Sequence, residues 1–551
     1  MLFARQVREK ALAGERIIIN RLKSMRILQH PFTTALGITT LCLLFLIEPF
    51  VSPQHEAIYH LSGTATPVFI LAGIYFGYLW LLVSGLVLIA ERYRTLWFPV
   101  WLGVLVFLPW VVLKNCIMLE QWPISHRTMV GLFLVTLATY LVALLFRPAI
   151  LEKKFPTLQS AASVVLGFAA FAGLTMLVRL PCYAWAARDL NPQFVAIPRS
   201  ISPARSATRH RIIWIMFDEL SQQQVYGQRY PGLSLPAFDW LADQSVVFTH
   251  VVPADIMTER VIPSLFSGLP VDEIRVSADG QLRALRNPAT GVWQPFNQYN
   301  TVFQDARFAN YATGVVGWVN PYCRLLAEVL DRCFWTYHSP ETNYLQSDHT
   351  WQARMISPFR FLASYLPGSF GLRGVPFGMT ASEMHIADYV EIRDEADKLL
   401  SNPAIDFVFL HLPVPHPEGI YNRRRMTFAT TGSSYLDNLV LADQYLAHVR
   451  LLLEKQQQWD SSVVIVMGDH SWRTELLWKR LPNWTSEEEQ ASHGGKFDDR
   501  PGFIVKMPMQ QNALRVDTPF EAVQTRALLD AVIGNKVETA AELRSWAEKQ
   551  R

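Results

Sequence analysis

Five apolar stretches, at about residues 32–50, 64–90, 95–113, 128–146 and 160–178, fill most of the first third of the chain. A helix that crosses a bilayer core needs about 20 apolar residues, so the pattern predicts an α-helical membrane domain of five transmembrane helices within residues 1–180, behind a polar N-terminal arm. Beyond it the pattern changes. Residues 181–210 hold Pro181, Pro192, Pro198 and Pro203 among scattered Arg and Ser, which predicts a juxtamembrane linker. Short apolar runs rich in β-formers then appear at Arg211 to Phe217, Phe407 to Leu412, Val463 to Met467 and Phe503 to Lys506. Unbroken runs of that length predict strands buried on both faces of a parallel sheet. Helical patterns at 236–245 and 435–455 lie between them, so residues 211–551 predict an α/β sandwich.

Charge refines the membrane half. The N-terminal arm carries Arg5, Arg8, Lys10, Arg16, Arg21, Lys23 and Arg26, and the loops on its side carry Arg92, Arg94, Arg147, Lys153 and Lys154, whereas the 51–63 loop has no Lys or Arg. The positive-inside rule then puts the arm in the cytoplasm. Five is odd, so residues after about 180 fall on the opposite side. About 30 polar residues precede the first apolar run and no small-residue cleavage site follows it, which argues against a cleaved signal peptide. Glu48 and Glu120 lie near the outer ends of helices, where a carboxylate costs little, and Trp80, Trp97, Trp101 and Trp110 read as interface anchors or packing. One helix would suffice as an anchor; five point to a platform shaped for a lipid or lipid-linked substrate.

Composition removes other classes. A net charge of +3 gives no footprint for nucleic acid, and 18% charged residues are too many for a chain made only of spans. Cys42, Cys116 and Cys182 sit in or beside apolar runs, where a thiol behaves as a small hydrophobe. Cys323 and Cys333 are close in sequence in the globular part; outside the cytoplasm a local disulfide is expected, and no CxxC pattern supports a metal site from these two.

Ligands of open α/β sheets bind beyond the carboxyl ends of the strands. Asp218 and Glu219 follow the first run, His411 and His416 close the second, and Asp469 and His470 follow the third. An acidic residue after a strand is more often a cap or turn residue. Together, though, two carboxylates and an imidazole make an oxygen and nitrogen set suited to zinc or manganese. Thr258 opens a helical pattern, where it either caps the helix or serves as a nucleophile in the positive end of the helix field.

The order strand-Asp218, Thr258 with Pro263-Ser-Leu-Phe-Ser-Gly268, His411-Leu-Pro-Val-Pro-His416, Gly468-Asp469-His470, then His493-Gly resembles the sulfatase-like proteins of the alkaline phosphatase superfamily. Within them it looks closest to the membrane-bound phosphoethanolamine transferases and lipoteichoic acid synthases, which also place five helices before an exported catalytic domain. The resemblance implies metal ligands at Asp218, Glu219, Thr258, Asp469 and His470, with zinc the first choice and manganese the second. It implies Thr258 as nucleophile and His416 and His493 as residues that bind substrate and protonate the leaving group. Arg473 and Lys496 are weaker candidates for an anionic oxygen and read otherwise as surface charges. It implies further a bacterial inner-membrane enzyme with its catalytic domain in the periplasm or outside the cell. That enzyme would move a phospho-group from a membrane lipid donor to a glycan or lipid acceptor. The alternative is a hydrolase that uses the same site with water, and a silent scaffold is a third reading. Formylglycine chemistry is not expected, because Thr258-Glu-Arg replaces the Cys or Ser that such sulfatases convert. Trp472, two residues after His470, is expected to reshape the mouth of the site.

Overall fold

The computed structural model describes residues 30–62, 65–120, 124, 126–146, 149–188, 209–338, 359, 362, 380–481 and 483–550. The basic arm and most of the linker lie outside the described residues. Two compact units emerge.

The first contains helices α1 (Pro31–Val51), α2 (Ala65–Arg92), α3 (Arg94–Glu120), α4 (His126–Phe146) and α5 (Ala149–Ala186). All five are long and apolar enough to cross a membrane. α5 begins 11 residues before the apolar run that predicts it, because Glu-Lys-Lys at 152–154 interrupts the hydrophobic pattern without breaking the helix. α1 and α5 meet through glycines. A Cβ on Gly37 would come 2.0 Å from the Leu166 carbonyl oxygen, and one on Gly173 would come 2.0 Å from Thr40 Oγ1. Small residues of this kind let membrane helices approach closely.

The second unit is a layered α/β domain, and residues Gln54–Ala65, between α1 and α2 in sequence, group with it. Its main sheet comprises β1 (Ile212–Phe217), β2 (Val246–Phe248), β3 (Thr313–Trp318), β4 (Arg332–Thr336), β5 (Phe407–Leu412), β6 (Val463–Gly468), β7 (Phe503–Lys506) and β8 (Leu514–Val516), in the spatial order β8-β2-β7-β6-β1-β5-β3-β4. β1 is central and pairs in parallel with β6 and β5; β7 runs antiparallel. Ile212, Trp214 and Met216 point to one core, and Ile213, Ile215 and Phe217 to the other, so apolar side chains on both faces of β1 are out of water. That two-sided burial is why these strands read as unbroken apolar runs. Helices α6 (Pro236–Ala242), α7 (Thr258–Ser267), α8 (Ala381–Ser401) and α9 (Tyr435–Lys455) cover the sheet. α8 and α9 both open with a full capping box, Thr380 with Glu383 and Ser434 with Asp437. Cys323 and Cys333 form a disulfide that ties the turn after β3 to β4.

Candidate metal centre and active site

The register places the chemistry. Phe217 is paired with Gly468 and Met216 with His411, so Asp218, Asp469 and His411 emerge side by side at the carboxyl edge of the sheet. Gly468 is needed there, since a Cβ would stand 2.7 Å from the Leu220 carbonyl oxygen. Thr258 is the first residue of α7, and Met257, not Thr258, is the N-cap. Its hydroxyl instead donates to Asp469 Oδ2 at 2.7 Å and lies 3.4 Å from both Asp218 Oδ2 and His470 Nε2. Helix capping is therefore not its task. Asp469 is held in turn by the backbone N–H of Glu219, which donates to Oδ1 at 2.9 Å.

These side chains are buried, and several of their atoms lack a hydrogen-bond partner. Asp218 Oδ1 and His411 Nε2 are unsatisfied. His411 Nε2 stands 3.3 Å from Asp218 Oδ2 without the alignment of a hydrogen bond. Both imidazoles show the same arrangement. His470 Nδ1 faces the Ser471 carbonyl oxygen at 3.1 Å and His411 Nδ1 faces the Trp318 carbonyl oxygen at 3.2 Å. A carbonyl only accepts, so the proton is assigned to Nδ1 in each, with the Tyr322 hydroxyl 2.7 Å from His411 Nδ1 accepting alongside the carbonyl, and an Nε2 lone pair is left turned toward carboxylate oxygens. Two lone pairs at that distance repel unless a cation lies between them. Ligand atoms about 2.1 Å from a tetrahedral ion are about 3.4 Å apart; four of the spacings here are 3.4, 3.4, 3.3 and 3.1 Å, and the hydrogen-bonded Thr258–Asp469 pair is closer, at 2.7 Å. Asp218, His411 and Asp469, all buried, offer ligand atoms within 4.8 Å of one another, and Asp218, Glu219 and His416 form a second such group. The donor set fits a divalent cation. Histidines with the other ring nitrogen on a backbone carbonyl are the usual form of metal ligands.

Glu219 has a different setting. It adopts a left-handed backbone with φ of 62° and is fully buried. Its carboxylate accepts from the Arg473 backbone N–H at 3.1 Å, from Arg473 Nε at 2.7 Å and from Trp478 Nε1 at 2.9 Å. Burial pushes its carboxyl up and the Arg473 charge pulls it back. Burial likewise opposes the charge of Asp218, yet His411, His416 and His470 hold that carboxyl below the usual range. Arg473 is itself raised by Glu219 and Asp218 against the effect of its own burial.

His416 stands at the edge of the cluster. Its Nε2 is 3.4 Å from Arg473 Nη2, and its ring meets Trp318 and Trp478 edge-on at 5.1 Å each. Burial, and after it the Arg473 charge, push His416 well below the ordinary histidine value, although Asp218 works the other way. The structure does not bring His493 into the group. That residue is exposed and lines a separate hollow of about 530 Å³ with Lys496, Asp498 and Arg500. Trp472 differs from expectation as well. It is buried and stacks on Tyr435 at 4.2 Å, so it packs the core, and Trp478 takes the place beside His416.

Sequence reasoning missed Trp478 and Tyr322 and undervalued Arg473 and His411. His411 carried a signal: it is a polar residue inside an otherwise apolar buried strand, where a partner is obligatory.

The family model described as Sulfatase matches residues 210–509, more than half of the chain. Solved structures similar to the chain include the lipoteichoic acid synthase LtaP from Listeria monocytogenes, 12% identical over 59% of this chain and 72% of that one, with a TM-score of 0.34. The phosphonate monoester hydrolase of Agrobacterium radiobacter is 14% identical over 59% and 74%, with a TM-score of 0.37. A protein in the alkaline phosphatase superfamily from Vibrio parahaemolyticus is 14% identical over 60% and 67%, with a TM-score of 0.36. No curated protein matches the chain at a significant level. The family model covers residues 210–509 and with them the strand-end residues described above, so the chain belongs to the sulfatase family, its matched domain following five helices long and apolar enough to cross a membrane.

Proposed function

We propose that the protein is a metal-dependent transferase that moves a phospho-group, of the phosphoethanolamine or phosphoglycerol type, from a membrane lipid to a glycan or lipid acceptor through a covalent intermediate on Thr258. The observation that carries this reading is the Thr258 hydroxyl, which is hydrogen-bonded to Asp469 and directed at Asp218 and His470 at the start of a helix. The N-terminal end of a helix favours the anion that would sit there.

Asp218, His411, Asp469 and His470 would hold the cation, with zinc first and manganese second, and Glu219 would serve by holding Arg473. The bound cation would supply positive charge that makes the hydroxyl more acidic and offsets the charge of the phosphoryl oxygens. Thr258 Oγ1 bonds to phosphorus as the bond to the lipid alcohol breaks. Its proton passes to Asp469 Oδ2, 2.7 Å away. Burial and, after it, the Arg473 charge disfavour a proton on His416; a phosphodiester anion bound beside Arg473 would offset that charge, so that His416 takes up a proton from solvent and gives it to the departing alkoxide. In the second half the acceptor hydroxyl attacks phosphorus, its proton goes to His416, and Thr258 recovers its own from Asp469.

The five apolar helices and the basic arm support an inner-membrane protein with its N-terminus in the cytoplasm and the catalytic unit on the far side. Headgroup-labelled phospholipid in vesicles with the full-length protein tests the reading. Intact-mass analysis should find the headgroup phosphate on Thr258 and the label passed to an added acceptor. Release of free headgroup alone would favour the hydrolase, and turnover by Thr258→Ala would exclude the covalent route.

A further inference from the structure

His416, which would give the leaving alcohol its proton, is carried by a stretch of chain without regular structure. β5 ends at Leu412, and residues 413–418 belong to no helix or strand. Pro413, Pro415 and Pro417 alternate through it and have no N–H, so the stretch has few donors for its own carbonyls. Those carbonyls need donors from elsewhere.

The donors are side chains of two helices. On α8, the buried His385 has Nε2 2.6 Å from the Pro413 carbonyl oxygen and Nδ1 3.0 Å from the Glu418 carbonyl oxygen. On α9, Asn438 Nδ2 donates to the carbonyl oxygens of His416 at 2.8 Å and Glu418 at 3.1 Å, while its Oδ1 accepts from the Ile420 backbone N–H at 2.8 Å. One imidazole thus holds the chain on both sides of His416.

Both contacts of His385 are to acceptors, so they require a proton on each ring nitrogen. A bare nitrogen would set its lone pair against that of a carbonyl oxygen with no cation between them. Burial of the resulting charge is offset by the two carbonyls and by the face of Trp318, on which the ring lies with centroids 5.5 Å apart and 13° between planes. Asp388, three residues further along α8, accepts from Trp318 Nε1 at 2.8 Å, and the Glu418 carboxylate accepts from Ser382 Oγ at 3.4 Å. The His385 ring meets that of His416 edge-on at 5.8 Å. With both nitrogens engaged, His385 can neither bind a metal nor move a proton.

We propose that His385 is a positioning residue: as a doubly protonated clamp on Pro413 and Glu418 it fixes the ring of His416 where the leaving alcohol departs. The inference rests on the reading of His416 as the acid.

The test is single-turnover release of the leaving group by the full-length protein from two phosphodiesters, a headgroup-labelled phospholipid in vesicles and bis(p-nitrophenyl) phosphate. The alcohol that leaves the phospholipid needs a proton, whereas nitrophenolate is a stabilised anion that leaves without one. His385→Phe keeps a ring against Trp318 and removes both donors. It should slow release from the phospholipid about a hundredfold and release from bis(p-nitrophenyl) phosphate far less. His385→Gln, which keeps one donor group, should recover part of the loss. In a His416→Ala background His385→Phe should cost little more, since it acts through His416. Equal losses on the two substrates, or a full further loss in that background, overturns the proposal. ¹⁵N spectra of the histidine-labelled parent should contain a ring with protons on both nitrogens that is absent from His385→Gln; one bare nitrogen in that ring overturns the clamp whether or not a variant folds. If His416→Ala releases the phospholipid alcohol as fast as the parent, the acid reading fails instead.

Discussion

Arg473 reaches the carboxylate of Glu219 at 2.5 Å in a place where Glu219 has no contact with solvent. An isolated charge there would be costly, and the pair is completed by Trp478 Nε1. Removing one partner of a buried ion pair typically costs about 3–5 kcal/mol. Arg473→Ala should therefore lower stability by about that amount, read by urea unfolding, and should also raise KM because the cation beside His416 is lost. Arg473→Lys should recover part of the stability and little of the KM, for lysine cannot reproduce the forked contact.

Glu219 and Asp469 should behave differently toward metal. The Glu219 carboxylate is engaged by Arg473 and Trp478, whereas Asp469 faces Thr258 and His470. Elemental analysis of purified variants should find metal lost in Asp469→Asn and Asp218→Asn and retained in Glu219→Gln. Loss in Glu219→Gln with retention in Asp469→Asn would move the centre to the group formed by Asp218, Glu219 and His416.

The Cys323–Cys333 disulfide closes a short loop that carries Arg324 and follows directly on Tyr322. Closing a loop of that length stabilises by about 3 kcal/mol in the chain-entropy account. Cys323→Ser with Cys333→Ser should lower unfolding stability by about that amount. Zn²⁺ affinity should fall with it, because Tyr322, whose hydroxyl lies 2.7 Å from His411 Nδ1, loses its brace.

His338 supplies a pH dependence. Its hydrogen bond to Asp388, 2.6 Å away, raises its pKa against the opposing effect of burial. A raised folded value means that the folded state holds the proton more tightly. The stabilisation is complete below the unfolded histidine value of about 6.5 and is lost as pH rises through the higher folded value. The thermal midpoint should fall across that window, and His338→Gln should flatten the fall. Asp388 also accepts from Trp318 Nε1 at 2.8 Å, so the same pair supports the ring beside His416.

The strands that hold the ligands could be read from sequence because both of their faces are buried; the expected runs at 211–217, 407–412, 463–467 and 503–506 became β1, β5, β6 and β7. β3 gave no such signal. Its sequence, Thr-Gly-Val-Val-Gly-Trp, contains Gly314 and Gly317, where a Cβ would come 2.6 Å from Leu399 and 2.1 Å from Tyr322. Close packing selected residues that read as a loop. In the site, Asp218, Asp469 and His470 were visible because each follows an apolar run. Arg473 was not, because a charged residue in a loop reads as solvated until Glu219 is found facing it. Trp472 and His493 show the converse: a position near a motif does not fix which way a side chain turns. Tyr59, buried in the core of the α/β unit with its hydroxyl donating to Asn320 Oδ1 at 3.0 Å, had no local signal, since that partner is 261 residues away.

That separation bears on how the protein is made and on how it can be cut. The helical turn holding Tyr59 is synthesised well before the fold that receives it, so the nascent core must stay open at one place until a piece already laid down beside the first helix docks. A soluble fragment that starts after the last helix would never receive the piece. It would have a hole the size of an aromatic ring, a defect that typically costs about 3–5 kcal/mol, and an Arg324 without its carbonyl acceptors. Residues 54–65 supplied as a peptide should raise the melting temperature of such a fragment.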